Sequence, residues 1–243
     1  MIRPEERLIG AIARLILDPL APPAHHIAVG AASPIPAAAC WLVRELGHAV
    51  RLSLLHQQQG NPFTEGTREL FDLAGQGRID LFFLGGGQID GAANLNLIGT
   101  GDWPGRGVRF PGSFGSAFMY LMVPRTILFR EEHSRRVLVP RVDHISAPGL
   151  SPPGVFRRGT AQALVTGRCV FRFSATAGRF ALDSVHPGET AEGVRAATGF
   201  DYDSPASPAV TADPTGAELA LLRGSVRARM LATYPAFCRR VWE

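Results

Sequence analysis

Leu8, Ile9, Ile12, Leu15 and Ile16 recur at the spacing of one helix face, which predicts an amphipathic helix from Pro4 to Leu17, stopped ahead of Pro19. The short apolar run His26 to Gly30 reads as a buried strand. Ser33 to Pro36 then supplies a cap and prolines for the start of a helix reaching Leu46. Val50 to Leu55 and Ile79 to Leu84 predict two further strands, with a helical stretch around Arg68 to Ala74 between them. Strands alternating with helices in this way predict parallel pairing in an open α/β sheet flanked by helices, with ligands beyond the carboxyl ends of the strands.

Met119 to Val123, Thr126 to Arg130 and Val142 to Ser146 read as additional strands. After a Pro/Gly stretch from Ala147 to Gly159, the segments Ala161 to Thr166, Cys169 to Phe173 and Arg179 to Leu182 are joined by glycine turns. They predict a small antiparallel addition in the last third of the chain. Glu189 to Thr198 reads as a helix with Gly199 as its C-terminal cap, and Gly216 to Leu231 as a terminal helix after a Pro-rich linker. The 243 residues suit one large domain.

Composition narrows the chemistry. All 25 basic residues are Arg and none is Lys, so a lysine Schiff base is excluded and any anion must be held by an Arg fork or backbone amides. The net charge of +4 is spread from Arg3 to Arg240 without a dense basic run, which argues against nucleic acid. No stretch approaches the roughly 20 apolar residues of a membrane span, and a cytoplasmic location is expected. Cys40, Cys169 and Cys238 lack metal-type or disulfide-framework spacing, and His25 and His26 point to opposite sides of a strand; no metal or redox cofactor is implied.

The most informative stretch follows the Ile79 to Leu84 strand. Gly85, Gly86 and Gly87 permit close backbone approach and can turn amides toward anionic oxygens, with Gln88, Asp90, Asn94 and Asn96 close behind; the same pattern also fits a tight polar turn. A second glycine cluster from Val108 to Ser116 places Gly112, Ser113 and Gly115 beside Arg109. Two such loops at strand edges favour a site for a phosphate-bearing or thioester ligand.

In order and spacing, Gly85-Gly86-Gly87-Gln88-Ile89-Asp90, Asn94, Asn96, Gly112-Ser113-Phe114-Gly115, Arg135-Arg136, Val142-Asp143 and Ala147-Pro148-Gly149 resemble family I coenzyme A transferases. The likeness is to beta subunits of the glutaconate CoA-transferase type, and His186 to Phe200 resembles that family's closing helix. The resemblance implies an open α/β fold, a homologous alpha subunit as partner in a hetero-oligomer, and an acyl-CoA thioester as substrate. It also implies a beta-chain glutamate that attacks the thioester while glycine-loop amides stabilise the oxyanion.

The chain departs from the family pattern at three places. Where the family has its glutamate this chain reads His56-Gln57-Gln58-Gln59-Gly60, which puts Gln58 at the nucleophile position, and an amide cannot replace the attacking carboxylate. Glu65 is the nearest carboxylate, with a surface or helix-cap role as its plainer reading, and His56 adjoins the site as a candidate acid or base or as a structural strand-end histidine. Ala93 and Phe114 stand where the family has glycines, and Phe114 with Phe118 either narrows the pocket, stacks on a flat substrate or packs in the core. Three functions are therefore open: a CoA transferase, a glutamate-independent CoA-ester hydrolase of the steroid-ring-degrading type whose carboxylate belongs to the alpha chain, and a noncatalytic CoA-binding subunit.

Overall fold

The structure, a computed structural model, describes residues 1–57, 61, 63–102, 105 and 107–243. The chain forms two compact units, Met1–Phe83 with Ala212–Glu243, and Leu84–Thr211.

In the first unit α1 (Pro4–Ile16) buries the predicted Leu8, Ile9, Ile12, Leu15 and Ile16 stripe. β1 (His26–Val29) is buried along its whole length, and α2 (Pro34–Glu45) packs against α1 and β1. The prolines start α2 as predicted, but Ser33 does not cap it: its hydroxyl donates to the Ala31 carbonyl at 3.2 Å. β2 (Arg51–Leu54) runs parallel to β1, α3 (Thr67–Gly75) follows, and β3 (Leu81–Leu84) lies parallel on the other side of β1. Asp80 fixes the entry to β1, accepting from the amides of His25 and His26 at 2.8 Å each.

The second unit begins with a small antiparallel pair, β4 (Gln88–Ile89) and β5 (Leu95–Asn96), then α4 (Ser116–Met122) and β6 (Arg125–Arg130). β7 (Thr160–Thr166) is parallel to β6, while β8 (Cys169–Ser174) and β9 (Arg179–Val185) add in antiparallel fashion, as predicted for this third of the chain. After α5 (Ala191–Ala197), β10 (Ala209–Val210) pairs parallel with β9. The first unit closes with α6 (Gly216–Leu221), a π-helical turn at Leu222–Val226, α7 (Arg227–Leu231) and α8 (Pro235–Trp242). The strand pairings are thus mostly parallel, with flanking helices and an antiparallel addition.

Four predictions need correction. Met119 to Val123 is not a strand: Met119 to Met122 are the last turn of α4 and Val123 is the extended residue after it; a short apolar run carries no decisive period, and the helix buries only Met119 and Tyr120. Val142 to Ser146 is irregular backbone pinned by side chains. Gly199 does not cap α5 through a left-handed turn; its amide donates to Leu138 O at 2.7 Å, and a Cβ there would lie 2.2 Å from that oxygen. The Gly216 to Leu231 helix contains the π-helical turn, and α8 follows it. No helix among the described residues is long and apolar enough to cross a membrane.

Candidate functional site

The motif residues gather in the second unit as a platform built from the β4–β5 hairpin, the backbone at 97–102 and 107–112, and the strand-free stretch 136–149. Glycine is required here by chain crowding chain. A Cβ on Gly85 would sit 2.8 Å from Phe129 O, on Gly86 2.6 Å from Gln88 O, and on Gly87 2.3 Å from the Phe110 ring. The Gly87 amide donates to Asn96 O at 2.8 Å. These glycines let the backbone layers close on each other, a role that sequence assigns equally well to ligand approach.

The polar side chains act as pins. Asn96 Nδ2 donates to Gln88 Oε1 and to Gly99 O, both at 2.7 Å, while its Oδ1 accepts from the amides of Ile98 and Gly99. Gln88 Oε1 also accepts from the Asp143 amide at 3.0 Å. Asp90, buried in the hairpin turn, accepts from the amides of Ala92 and Asn94 at 3.1 Å, from Asn94 Nδ2 at 3.1 Å and from the Val142 amide at 3.4 Å. Asn94 Oδ1 accepts from the Gly149 amide at 3.0 Å. Buried polar groups satisfied in this way make the arrangement rigid and specific.

Some of these pins are invisible to motif reasoning. Ser146 Oγ accepts from the Leu97 amide and donates to Leu95 O. Tyr120 donates its hydroxyl to Ala93 O at 3.2 Å, and burial raises its pKa. Arg157 donates to the carbonyls of Gly159, Pro148 and Tyr120 and covers the Tyr120 ring at 4.8 Å, while burial lowers its pKa. The one available signal was a lone polar residue inside the apolar run around Tyr120; Arg157, in a loop, gave none.

The Val108 to Ser116 loop carries the second glycine cluster. Arg109 is exposed and bridges across to Gly99 through the backbone, and Gly112 turns with φ 106° as its amide reaches Leu97 O at 3.0 Å. Ser113 O accepts from the Ser116 amide and Gly115 O from that of Met119, which leads the loop into α4. Only three non-glycine residues among those described have left-handed backbone, and two are the positions where the resemblance leads one to expect glycine: Ala93 at 60° and Phe114 at 45°. The third is Ala32. Core packing does not account for Phe114, which is 77% exposed, nor for Phe118 at 40%.

His56 and Glu65 belong to the first unit. Gln58 lies outside the described residues. His56 is exposed and stacks on Tyr234 with centroids 5.1 Å apart. Glu65 is exposed and pairs with Arg68 at 2.7 Å; the carboxylate that organises the start of α3 is Glu69, which accepts from the Thr64 hydroxyl at 2.6 Å and from the Glu65 amide. Of the arginine pair, Arg135 donates to Ala196 O near the end of α5, and Arg136 pairs with Glu132.

The order of these loops along the chain is the one the resemblance implies, and the coenzyme A transferase model matches residues 47–197; the chain belongs to that family. It is of the beta type. It is 32% identical over 164 residues to the B component of the 3-oxoadipate CoA-transferase of Pseudomonas knackmussii, covering 65% of this chain and 62% of that one. It is also 32% identical over 173 residues to the cholesterol ring-cleaving hydrolase IpdB subunit of Rhodococcus jostii, covering 68% and 66%. The matched segments thus span just under two thirds of these relatives' lengths. Among solved structures, the decarboxylase AibA/AibB has the same fold, with a TM-score of 0.75 at 24% identity over 99% of each chain.

Proposed function

We propose that this chain is the beta-type subunit of an enzyme acting on an acyl-CoA thioester, completed by a homologous alpha subunit. The observation that carries the proposal is the platform itself: Gln88, Asp90, Asn94 and Asn96 are bonded within the β4–β5 hairpin, and Gln88 and Asn94 also hold the amides of Asp143 and Gly149 in the 136–149 stretch. Such a platform holds Gly85 to Gly87 and Gly112 to Gly115 in fixed loops. Fixed amides are what stabilisation of a thioester oxyanion requires.

Which reaction follows is a separate matter, since the three similar proteins named above are a transferase, a hydrolase and a decarboxylase. A transferase needs a carboxylate to attack the thioester carbon. Gln58 has none, and Glu65 is committed to Arg68 on an exposed helix start. This favours the second reading, a CoA-ester hydrolase or carbon–carbon bond-cleaving subunit whose reactive carboxylate is on the alpha chain. The test is mass spectrometry after incubation of the co-expressed alpha and beta chains with a panel of acyl-CoAs and hydroxylamine or borohydride trapping. Substrate consumption without an adduct on this chain is the expected result; a glutamyl adduct, at Glu65 for example, restores the transferase reading. Binding of CoA with no turnover by the assembled pair makes the chain a noncatalytic CoA-binding subunit.

A further inference from the structure

We propose that Arg141 binds a phosphate at the nucleotide end of the CoA thioester, in a cavity of the second unit; this rests on reading the chain as a subunit that acts on an acyl-CoA. The cavity, of about 510 Å³, is lined by Ile98, Arg141, Val142, Asp143, His144 and Ile145. That volume lies in the range of small-molecule sites. The backbone that carries Arg141 is fixed on both sides. The Val139 amide donates to Ile89 O at 3.0 Å, the Val142 amide to Asp90 at 3.4 Å and the Asp143 amide to Gln88 Oε1 at 3.0 Å. The same stretch is tied to Gly101, whose amide donates to Asp143 Oδ2 at 2.9 Å and whose carbonyl accepts from His144 Nε2 at 2.8 Å.

On this rigid backbone the Arg141 side chain makes no hydrogen bond or ion pair among the described residues. Elsewhere in the unit Arg136 pairs with Glu132, Arg168 with Glu189, Arg172 with Asp183 and Arg179 with Asp203. Asp143, two residues on, does not neutralise Arg141, because its carboxylate is turned to the Gly101 amide. A guanidinium without a partner, placed in a cavity by fixed backbone, presents a fork that matches phosphate oxygens, and the chain has no lysine to do this instead. Ile98 and Ile145, the latter 53% exposed, give the same cavity apolar surface suited to the flat face of a base. None of Gly85 to Gly87 or Gly112 to Gly115 lines it. The reacting carbonyl, read as sitting at those glycine loops, is therefore not in this cavity, and the anionic part of the substrate remote from that carbonyl is the nucleotide.

The test measures dissociation constants of the full chain, with whatever subunit it carries when purified from its own cells, for CoA, acetyl-CoA and succinyl-CoA. Arg141 is exposed, so Arg141→Gln should leave the urea midpoint unchanged. The expected result is that Arg141→Gln weakens all three ligands alike, about tenfold, and that Arg141→Lys recovers part of the loss. Weakening of succinyl-CoA alone overturns the proposal, because Arg141 then holds a carboxylate of the acyl group. Unchanged binding of all three also overturns it and leaves the functional reading standing. Failure of the natural chain to bind any of the three overturns the functional reading, and this proposal with it.

Discussion

Ala93 turns with φ 60° and Phe114 with φ 45°, each where the family pattern has glycine, yet their surroundings are opposite. Ala93 is fully buried; its amide donates to Asp90 O, its carbonyl accepts from Tyr120, and Gly149 packs so closely that a Cβ there would lie 2.7 Å from Ala93 O. Phe114 is 77% exposed, on a loop whose Gly112 and Ser116 amides donate to backbone carbonyls. The same unfavourable torsion, about 1 kcal/mol or more for an L residue, is thus enforced by packing in the interior and left on display at the rim. Interior strain of this kind belongs to the scaffold.

The interior side of the comparison is broken most severely by Asp90→Ala. That change leaves the buried amides of Ala92 and Asn94 and the side chain of Asn94 without their acceptor, and it removes the contact to Val142. Loss of about 3 to 5 kcal/mol is expected in urea unfolding, against less than about 0.5 kcal/mol for Phe114→Leu at the exposed rim. A similar cost for both would mean that the rim loop is as deeply integrated as the turn.

Acid loosens the same unit without mutation. His133 is buried between Thr166 and Thr198, its two ring nitrogens 2.8 and 2.9 Å from their hydroxyls, and burial lowers its pKa to about 4. The unfolded chain takes up this proton near pH 6.5 and the folded chain only near 4. The stabilisation is therefore complete above about pH 6.5 and is lost as pH falls from there toward 4, by at most about 3 kcal/mol. Urea midpoints measured across that window should decline in the natural chain and decline less in His133→Gln. An identical decline in both would assign the acid sensitivity to other groups.

Tyr120→Phe isolates a single pin. It removes the donor to Ala93 O in a buried setting and should cost about 1 to 2 kcal/mol in thermal or urea unfolding. No loss would mean that the Asp90 network alone enforces the turn.

Legibility from sequence divides along the same line. α1, β1, α2 and β3 follow from apolar spacing, because each buries a stripe or a whole strand in local order, while β2 buries only Ser53 and Leu54 and α3 only Leu70 and Ala74. The motif residues Gln88, Asp90, Asn94 and Asn96 stand out in the sequence, but as ligand-facing groups; that Asp90, Gln88 and Asn94 hold the amides of Val142, Asp143 and Gly149 depends on 136–149 returning beside them, a contact of high sequence separation. Met119 to Val123 misleads for the opposite reason, since five apolar residues fit helix and strand alike. Ala93 and Phe114 are visible as departures from a glycine pattern, whereas their opposite burial is not, because exposure is a property of the folded unit. Tyr120 and Arg157 lie outside the motifs and become legible only through the carbonyls they hold.

The smallest expected effect is the most discriminating, a pair of glycine substitutions. Phe114→Gly replaces a strained residue whose side chain is mostly in solvent, so relief of the torsion is offset by little lost burial, and stability should rise by about 1 kcal/mol. Ala93→Gly gains the same torsional relief but removes a fully buried methyl group, worth about 0.8 kcal/mol, so the two contributions nearly cancel and stability should hardly move. Urea midpoints for the natural chain and both variants, at a pH above 7 where His133 is neutral in folded and unfolded chains alike, resolve a difference of this size. If Ala93→Gly stabilises as much as Phe114→Gly, the Ala93 methyl contributes nothing and the turn is held by its hydrogen bonds alone. If neither stabilises, the left-handed torsion at both positions costs less than the backbone entropy that glycine adds to the unfolded chain, and the contrast between turn and rim rests on burial only.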